Sequence, residues 1–172
     1  WYIFYHHNAY SPDFDKNRSA CADSLYFEAD GSIRMVKPTL RGIGITRAGS
    51  DIQIDRYSAI SEAGADIAYL DTTDYFAGWK TVFSSPDAWV RYNTVQFDGD
   101  CQGAVLRVKA TRGGTLLLQS GNKTLAKIKV PVTEGWKEIP VRVKGIKKGI
   151  HHLTVKSVSD HETCLDWIRF TK

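Results

Sequence analysis

Apolar and polar residues exchange places every second position over most of the chain. In residues 105–110, Leu106, Val108 and Ala110 fall on one face and Arg107 and Lys109 on the other, the two-residue period of a strand with one covered face. The same pattern predicts strands at 89–97, 115–119, 124–132, 137–143, 150–158 and 165–170, with Ile52 and Ile54 alternating in a short first strand. Gly113-Gly114 and Gly121-Asn122 supply turns between neighbouring runs. No window of 11 or more residues shows helical periodicity, although 55–68 contains Ala and Glu and has room for a helical turn. Short strands at close intervals with turn residues between them predict an all-β fold, a two-sheet jelly roll.

Upstream, residues 1–7 are aromatic and apolar, 18–27 read as a second strand, and Asp30-Gly31 turns into a third at 33–36. These form a predicted β-meander too small to bury enough surface by itself. Residues 47–51 are small and polar, without apolar periodicity, and are expected to be a linker. The domain reading is therefore a fragment at 1–46, a linker at 47–51 and a sandwich at 52–172. Opening on a strand-like run without an initiating Met, the chain is expected to be a piece of a longer protein.

Composition narrows the field. Of 172 residues, 42% are hydrophobic, enough for a real core. The net charge of +4 comes from interspersed acids and bases with no block of like charges, so neither a nucleic-acid arm nor a membrane-surface helix is expected. No apolar run approaches the roughly 20 residues that span a bilayer. Cys21, Cys101 and Cys164 are odd in number and lack zinc spacing. Strand direction alternates, which puts Cys101 and Cys164 at opposite ends of the sandwich. A disulfide needs Cα atoms within about 7 Å, so free thiols are expected.

Five motifs in order, Ile52-Gln-Ile-Asp-Arg-Tyr57, Asp87-Ala-Trp-Val-Arg-Tyr92, Gly113-Gly114, Glu134-Gly-Trp136 and Leu165-Asp-Trp-Ile-Arg-Phe170, resemble carbohydrate-binding module family 6 over about 120 residues. The first part, through Trp1-Tyr-Ile-Phe-Tyr-His6, Arg18-Ser-Ala-Cys-Ala-Asp23 and Asp30-Gly-Ser-Ile33, is similar to the last blade of the propeller in glycoside hydrolase family 43.

The resemblance implies a site built by stacking. A pyranose offers an apolar C–H face to an aromatic ring, while its hydroxyls need a few fixed polar partners. Trp136 falls on one of the two aromatic positions of the loop-end cleft. The other maps to Val82 or Phe83, with Trp79 as a substitute, and the Asn expected before the final Leu-Asp-Trp is Cys164. A thiol makes weaker hydrogen bonds than an amide, which bears on affinity at this cleft. A second cleft on the concave sheet face would draw on Tyr92, Arg107, Lys109, His151 and His152. The resemblance also implies a structural Ca2+ held by Gln53, Asp55 and Asp166, hard oxygen donors on neighbouring strands.

No catalytic residue is assigned. A glycosidase needs two carboxyls across the scissile bond, and no such pair is identified. Asp13, Asp15, Asp23 and Glu28 read as turn and surface residues, and His6 or His7 matches a metal position whose site would be incomplete here. The functional expectation is non-catalytic binding of polysaccharide or oligosaccharide on behalf of a hydrolase domain in a secreted parent chain. The alternative is a structural or docking sandwich that has lost its sugar site.

Overall fold

The computed structural model describes residues 1–7 and 18–172; Asp13 and Asp15 lie outside them. Strands dominate: β1 (Tyr2–His7), β2 (Ser19–Ser24), β3 (Thr46–Arg47), β4 (Ile52–Gln53), β5 (Ala59–Ile60), β6 (Ala65–Tyr69), β7 (Trp79–Phe83) and β8 (Trp89–Phe97). They continue with β9 (Cys101–Lys109), β10 (Gly114–Ser120), β11 (Lys123–Val130), β12 (Lys137–Ile146), β13 (Gly149–Ser157) and β14 (Thr163–Thr171). The 55–68 stretch holds β5 and the start of β6 rather than a helical turn. The helical turn is a 3-10 segment at Tyr75–Ala77, capped by the Asp74 side chain. No helix among the described residues is long and apolar enough to cross a membrane.

Two six-stranded sheets carry the fold. One runs β11-β10-β13-β8-β3 with β5 also on β8; the other runs β12-β9-β14-β7-β6 with β4 also on β14. Chain neighbours are repeatedly separated by a strand from elsewhere, the interleaving of an all-β jelly-roll sandwich. Ile52, Phe83, Leu106, Leu118, Leu153 and Ile168 are fully buried between the sheets. Strand β9 shows how the alternation works: Ala104, Leu106 and Val108 are buried while Val105, Arg107 and Lys109 turn outward. The turn into β10 needs Gly113, whose φ of +72° and 3.2 Å approach to the Val130 carbonyl from a built Cβ disfavour any side chain.

The upstream part keeps only two paired strands. β1 and β2 form an antiparallel hairpin, and the expected third strand shrinks to one bridge, Phe27 with Ile33. Its polar hub is Asp23, which is buried, accepting from the Tyr5 hydroxyl, the Thr39 amide and the Thr39 hydroxyl. The reading of Asp23 as a surface residue is thereby corrected. Burial and the adjacent Asp23 carboxylate push the Tyr5 phenol well above its ordinary range.

Residues 47–51, expected to be a linker, are woven into the sandwich at their start. β3 adds in parallel to β8, the Ala48 amide donates to the Gln96 carbonyl, and the Ala48 carbonyl accepts from Phe170. A parallel pair of two residues leaves no apolar alternation to read, which is why the pattern missed it.

Arg41 pins the upstream segment to β8. Its guanidinium donates to the Asn93 and Gly44 carbonyls at 3.1 Å and lies 4.5 Å over the Tyr92 ring. Hydrogen bonds to a charged group contribute about 1.5–3 kcal/mol each net of exchange with water, and less where the group is exposed. Arg41→Ala is expected to lower stability by about 1–3 kcal/mol in urea denaturation; an unchanged midpoint would show that the segment does not brace the sheet.

Candidate functional site

The outer face of the β12-β9-β14-β7-β6 sheet is organised by strand register. Val82 pairs with Cys164, and Cys164 with Lys109; Lys137 pairs with Val108, which brings Trp136 beside Lys109. One residue pair along, Glu138 lies opposite Arg107, and Arg107 donates to the Asp166 carboxylate. Lys80, two residues before Val82, shares its outward face. Side chains far apart in sequence thus form adjacent rows.

A wall above these rows comes from residues 70–77. Asp71 accepts from the Thr73 amide and hydroxyl at 2.8 and 2.7 Å, and Asp74 accepts from the Phe76 amide at 3.0 Å. These short side-chain turns fold the loop without a strand partner. The Thr73 hydroxyl and amide hold the Asp71 carboxyl below its ordinary range. Behind the loop Tyr69 stacks on Trp79, centroids 4.2 Å apart, and touches Tyr75 at 4.6 Å. Phe76 stands wholly in solvent.

Two adjoining cavities result, sharing Leu70, Ala77 and Arg107. One, of about 440 Å³, is lined additionally by Asp71, Thr72, Lys80, Lys109 and Trp136. The other, of about 350 Å³, takes Asp51, Gln53, Asp55, Arg56, Gly78, Trp79, Asp166 and Trp167. The Trp136 ring is half-exposed, with the Arg107 guanidinium 5.2 Å from its centroid. Trp136 and Trp79 therefore face different cavities and do not form two sides of one slot.

Three expected binding residues change role. Phe83 is 0% exposed and belongs to the core; it points inward because β7 alternates, with Thr81 and Phe83 buried and Val82 outward. Tyr92 is 5% exposed, joins the core, shares a hydrogen bond with the Thr46 hydroxyl and lies under Arg41. Cys164 does sit in the outward row between Val82 and Lys109, but at 4% exposure its thiol meets only the Glu162 carboxylate, at 3.6 Å. Burial, reinforced by Glu162, pushes that thiol up to about 11, so it is neutral at ordinary pH.

The second-cleft set is dispersed. Arg107 and Lys109 lie on the sheet just described, whereas His151 and His152 belong to the opposite sheet. His152 accepts from the Thr94 amide, and His151 contacts the Lys147 carbonyl and the Ser120 hydroxyl. Alternation alone could not assign the strands to sheets. Residues that the sequence reading passed over are Lys80, Asp71, Thr72 and the Tyr69–Tyr75 pair; the clue was the density of Asp and aromatic residues in Asp71-Thr-Thr-Asp-Tyr-Phe-Ala-Gly-Trp79.

The oxygen set Gln53, Asp55 and Asp166 is brought together on one cavity wall, because β4 pairs with β14 through Gln53 and Trp167. Asp55 is 3% exposed. Burial first, and Asp166 to a smaller degree, push its carboxyl up to about 6 against the pull of Arg56. Burial also raises Asp166, opposed by Arg107. Asp55 and Asp166 thus gather in one cavity, as expected of the oxygen set. Asp166 is paired with Arg107 and Asp51 with Arg169 at 3.0 Å, however, an ionic cluster rather than an acid and base facing each other. No group of three or more His, Cys, Asp or Glu is poised for a metal among the described residues, so any ion here would rely on amide and backbone oxygens as well. Cys21, Cys101 and Cys164 are free. Cys101 donates to the Thr171 carbonyl, about 23 Å along β14 from Cys164 at ~3.3 Å per residue.

No protein-family model and no curated protein matches the chain. Solved structures share its fold. A carbohydrate-binding module of a Cellvibrio mixtus lichenase, in complex with cellotriose, is 25% identical, with a TM-score of 0.62 over 72% of this chain and 97% of that one. A β-1,3-glucan-binding family 6 module from Bacillus halodurans is 22% identical, with a TM-score of 0.66 over 75% of this chain and 100% of that one. A family 43 arabinoxylan arabinofuranohydrolase from Bacillus subtilis, in complex with cellotetraose, matches 100% of this chain but only 38% of its own length, at 19% identity and a TM-score of 0.68.

Phe83→Ala is expected to cost about 3–5 kcal/mol of folding stability, as core aromatic deletions do. A surface ring would lose under about 0.5 kcal/mol, so a small shift in the urea midpoint would contradict the core assignment.

Proposed function

We propose that the sandwich is a non-catalytic carbohydrate-binding module of the family 6 type, which holds an attached glycoside hydrolase on plant-type polysaccharide such as xylan, arabinan or β-glucan. The supporting observation is the half-exposed Trp136 ring at the mouth of a polar cavity, on a fold shared with modules named for binding cellotriose and β-1,3-glucan. The ring offers a flat apolar surface, and the Asp71, Thr72 and lysine groups beside it offer hydroxyl partners. Tethering raises the local concentration of the hydrolase on an insoluble substrate without any chemistry in this chain. Such a substrate places the parent protein outside the cell.

Residues 1–46 are read as the end of that hydrolase's propeller. Trp1, Phe4 and Met35 are largely exposed on this hairpin region, an apolar surface that a preceding blade would cover. The arabinofuranohydrolase that spans the whole chain supports the same arrangement.

Calcium belongs to this reading. Gln53, Asp55 and Asp166 would hold it, and a bound dication would offset the burial that raises both carboxyls. Its chemistry would be structural, cross-linking β4 to β14. The Arg107 guanidinium already neutralises Asp166 and competes with the ion for that carboxylate.

A second reading, a docking sandwich without a sugar site, is favoured by the outward row itself, where Val82 and the buried Cys164 supply neither ring nor amide. Titration with xylo-, arabino- and gluco-oligosaccharides in calcium, followed by tryptophan fluorescence, separates the two. Binding is expected, and Trp136→Ala is expected to weaken it by roughly tenfold or more, about 1.4 kcal/mol; silence toward every sugar would leave the docking reading. Calcium at about 100 times its dissociation constant is expected to add about 2.7 kcal/mol of stability, seen as a raised Tm that a chelator reverses. Asp55→Asn should abolish that rise, and an equal rise in the variant would remove Asp55 from the ligand set.

A further inference from the structure

We propose that the saccharide taken by the Trp136 cavity is anionic, carrying a uronate carboxylate or an equivalent acidic group that Lys80 and Lys109 receive. The inference rests on the carbohydrate-binding reading and specifies its ligand class. Three cations, Lys80, Arg107 and Lys109, and a single carboxylate, Asp71, line this cavity.

These charges are not equivalent. Arg107 is held by the Asp166 carboxylate and lies against the Trp136 ring, so it supports the ring. Lys80 and Lys109 are half-buried, and neither is in an ion pair among the described residues. They stand on strands β7 and β9, separated by β14, with Lys80 two residues along from Val82, the residue level with Lys109, so their backbones are about 12 Å apart at the usual strand spacing and rise. Two lysine side chains can converge over that span, above the buried Cys164. Asp71 accepts from Thr73 in its own turn, and the Lys80 charge reaches it only as the least of the influences that lower its carboxyl. Glu162, beside Cys164, and Glu138, opposite Arg107, are further carboxylates on this face, and both are exposed.

The floor between the lysines offers a neutral sugar little. Cys164 and Val82 present a buried thiol and a methyl pair where hydroxyls would want an amide. An ammonium that loses water beneath a bound ring is left without compensation by C–H groups, whereas a carboxylate restores it with a charge-assisted hydrogen bond. The cavity therefore selects for a ring that stacks on Trp136 and directs negative charge at the sheet.

The test uses the whole chain in calcium and calorimetric titration with three probes: a xylo-oligosaccharide bearing a glucuronic acid branch, the same compound with its carboxyl reduced to the alcohol, and that alcohol carrying a sulfate ester in place of the carboxylate charge. The uronate is expected to bind roughly tenfold tighter than its reduced twin, with an advantage that shrinks as salt rises from low to about 0.5 M. Lys80→Gln and Lys109→Gln, shown to be folded by unchanged Tm, should each erode the preference, while Lys109→Arg keeps part of it. Comparable tightening by the sulfated probe supports recognition of anionic charge in general; no tightening assigns it to the carboxylate. Equal binding of uronate and alcohol, both sensitive to Trp136→Ala, overturns this inference and leaves carbohydrate binding intact. Failure of all three probes to bind overturns both.

Discussion

The pairing of β14 with three other strands is the constraint from which the site follows. β14 takes β9 along one edge and β4 and β7 along the other, and all of it but Arg169 and Thr171 is buried. Its register alone decides that Cys164 lies between Val82 and Lys109 and that Asp166 meets Arg107. A slip of one residue would turn every such side chain to the opposite face. The irregularity between Leu165 and Ile168 lets consecutive residues of the motif serve two ends of the sheet, core and cavity.

Arg107 links what would otherwise be two independent sites. It lines both cavities, binds Asp166 in one and underlies the Trp136 ring in the other. A change in charge around Asp166 is therefore felt at the stacking surface through one side chain. The acidic side holds buried carboxyls raised by desolvation, and the other side holds lysines.

The two sheets are used unequally. On the β8 side, Arg41 caps Tyr92 and ties the upstream segment to the Asn93 and Thr94 carbonyls, so this ring is covered by its own chain. The upstream segment covers Tyr92 yet leaves a cavity of about 420 Å³ on that side, lined by Asp23, Thr39, Arg41, Asn93, Thr94 and His152.

Much of the architecture was legible in the chain. The long strands show their alternation directly: Trp89–Phe97 has the bounds that the pattern predicts, and the Leu106/Arg107 alternation on β9 separates core from surface as expected. Trp136 was found through the resemblance, which puts Glu134-Gly-Trp136 on one of the two aromatic positions of the loop-end cleft. What the sequence by itself determined were the local quantities, strand, turn and inward or outward facing, since these depend on near neighbours and burial. Only the tertiary structure decided that Phe83 and Tyr92 are interior, that Arg107 and Lys109 share a sheet with Cys164 while the histidines do not, and that Lys80 and Trp136 line one cavity. These are facts of non-local hydrogen-bond register, and no period along a single strand encodes which strand will lie beside it.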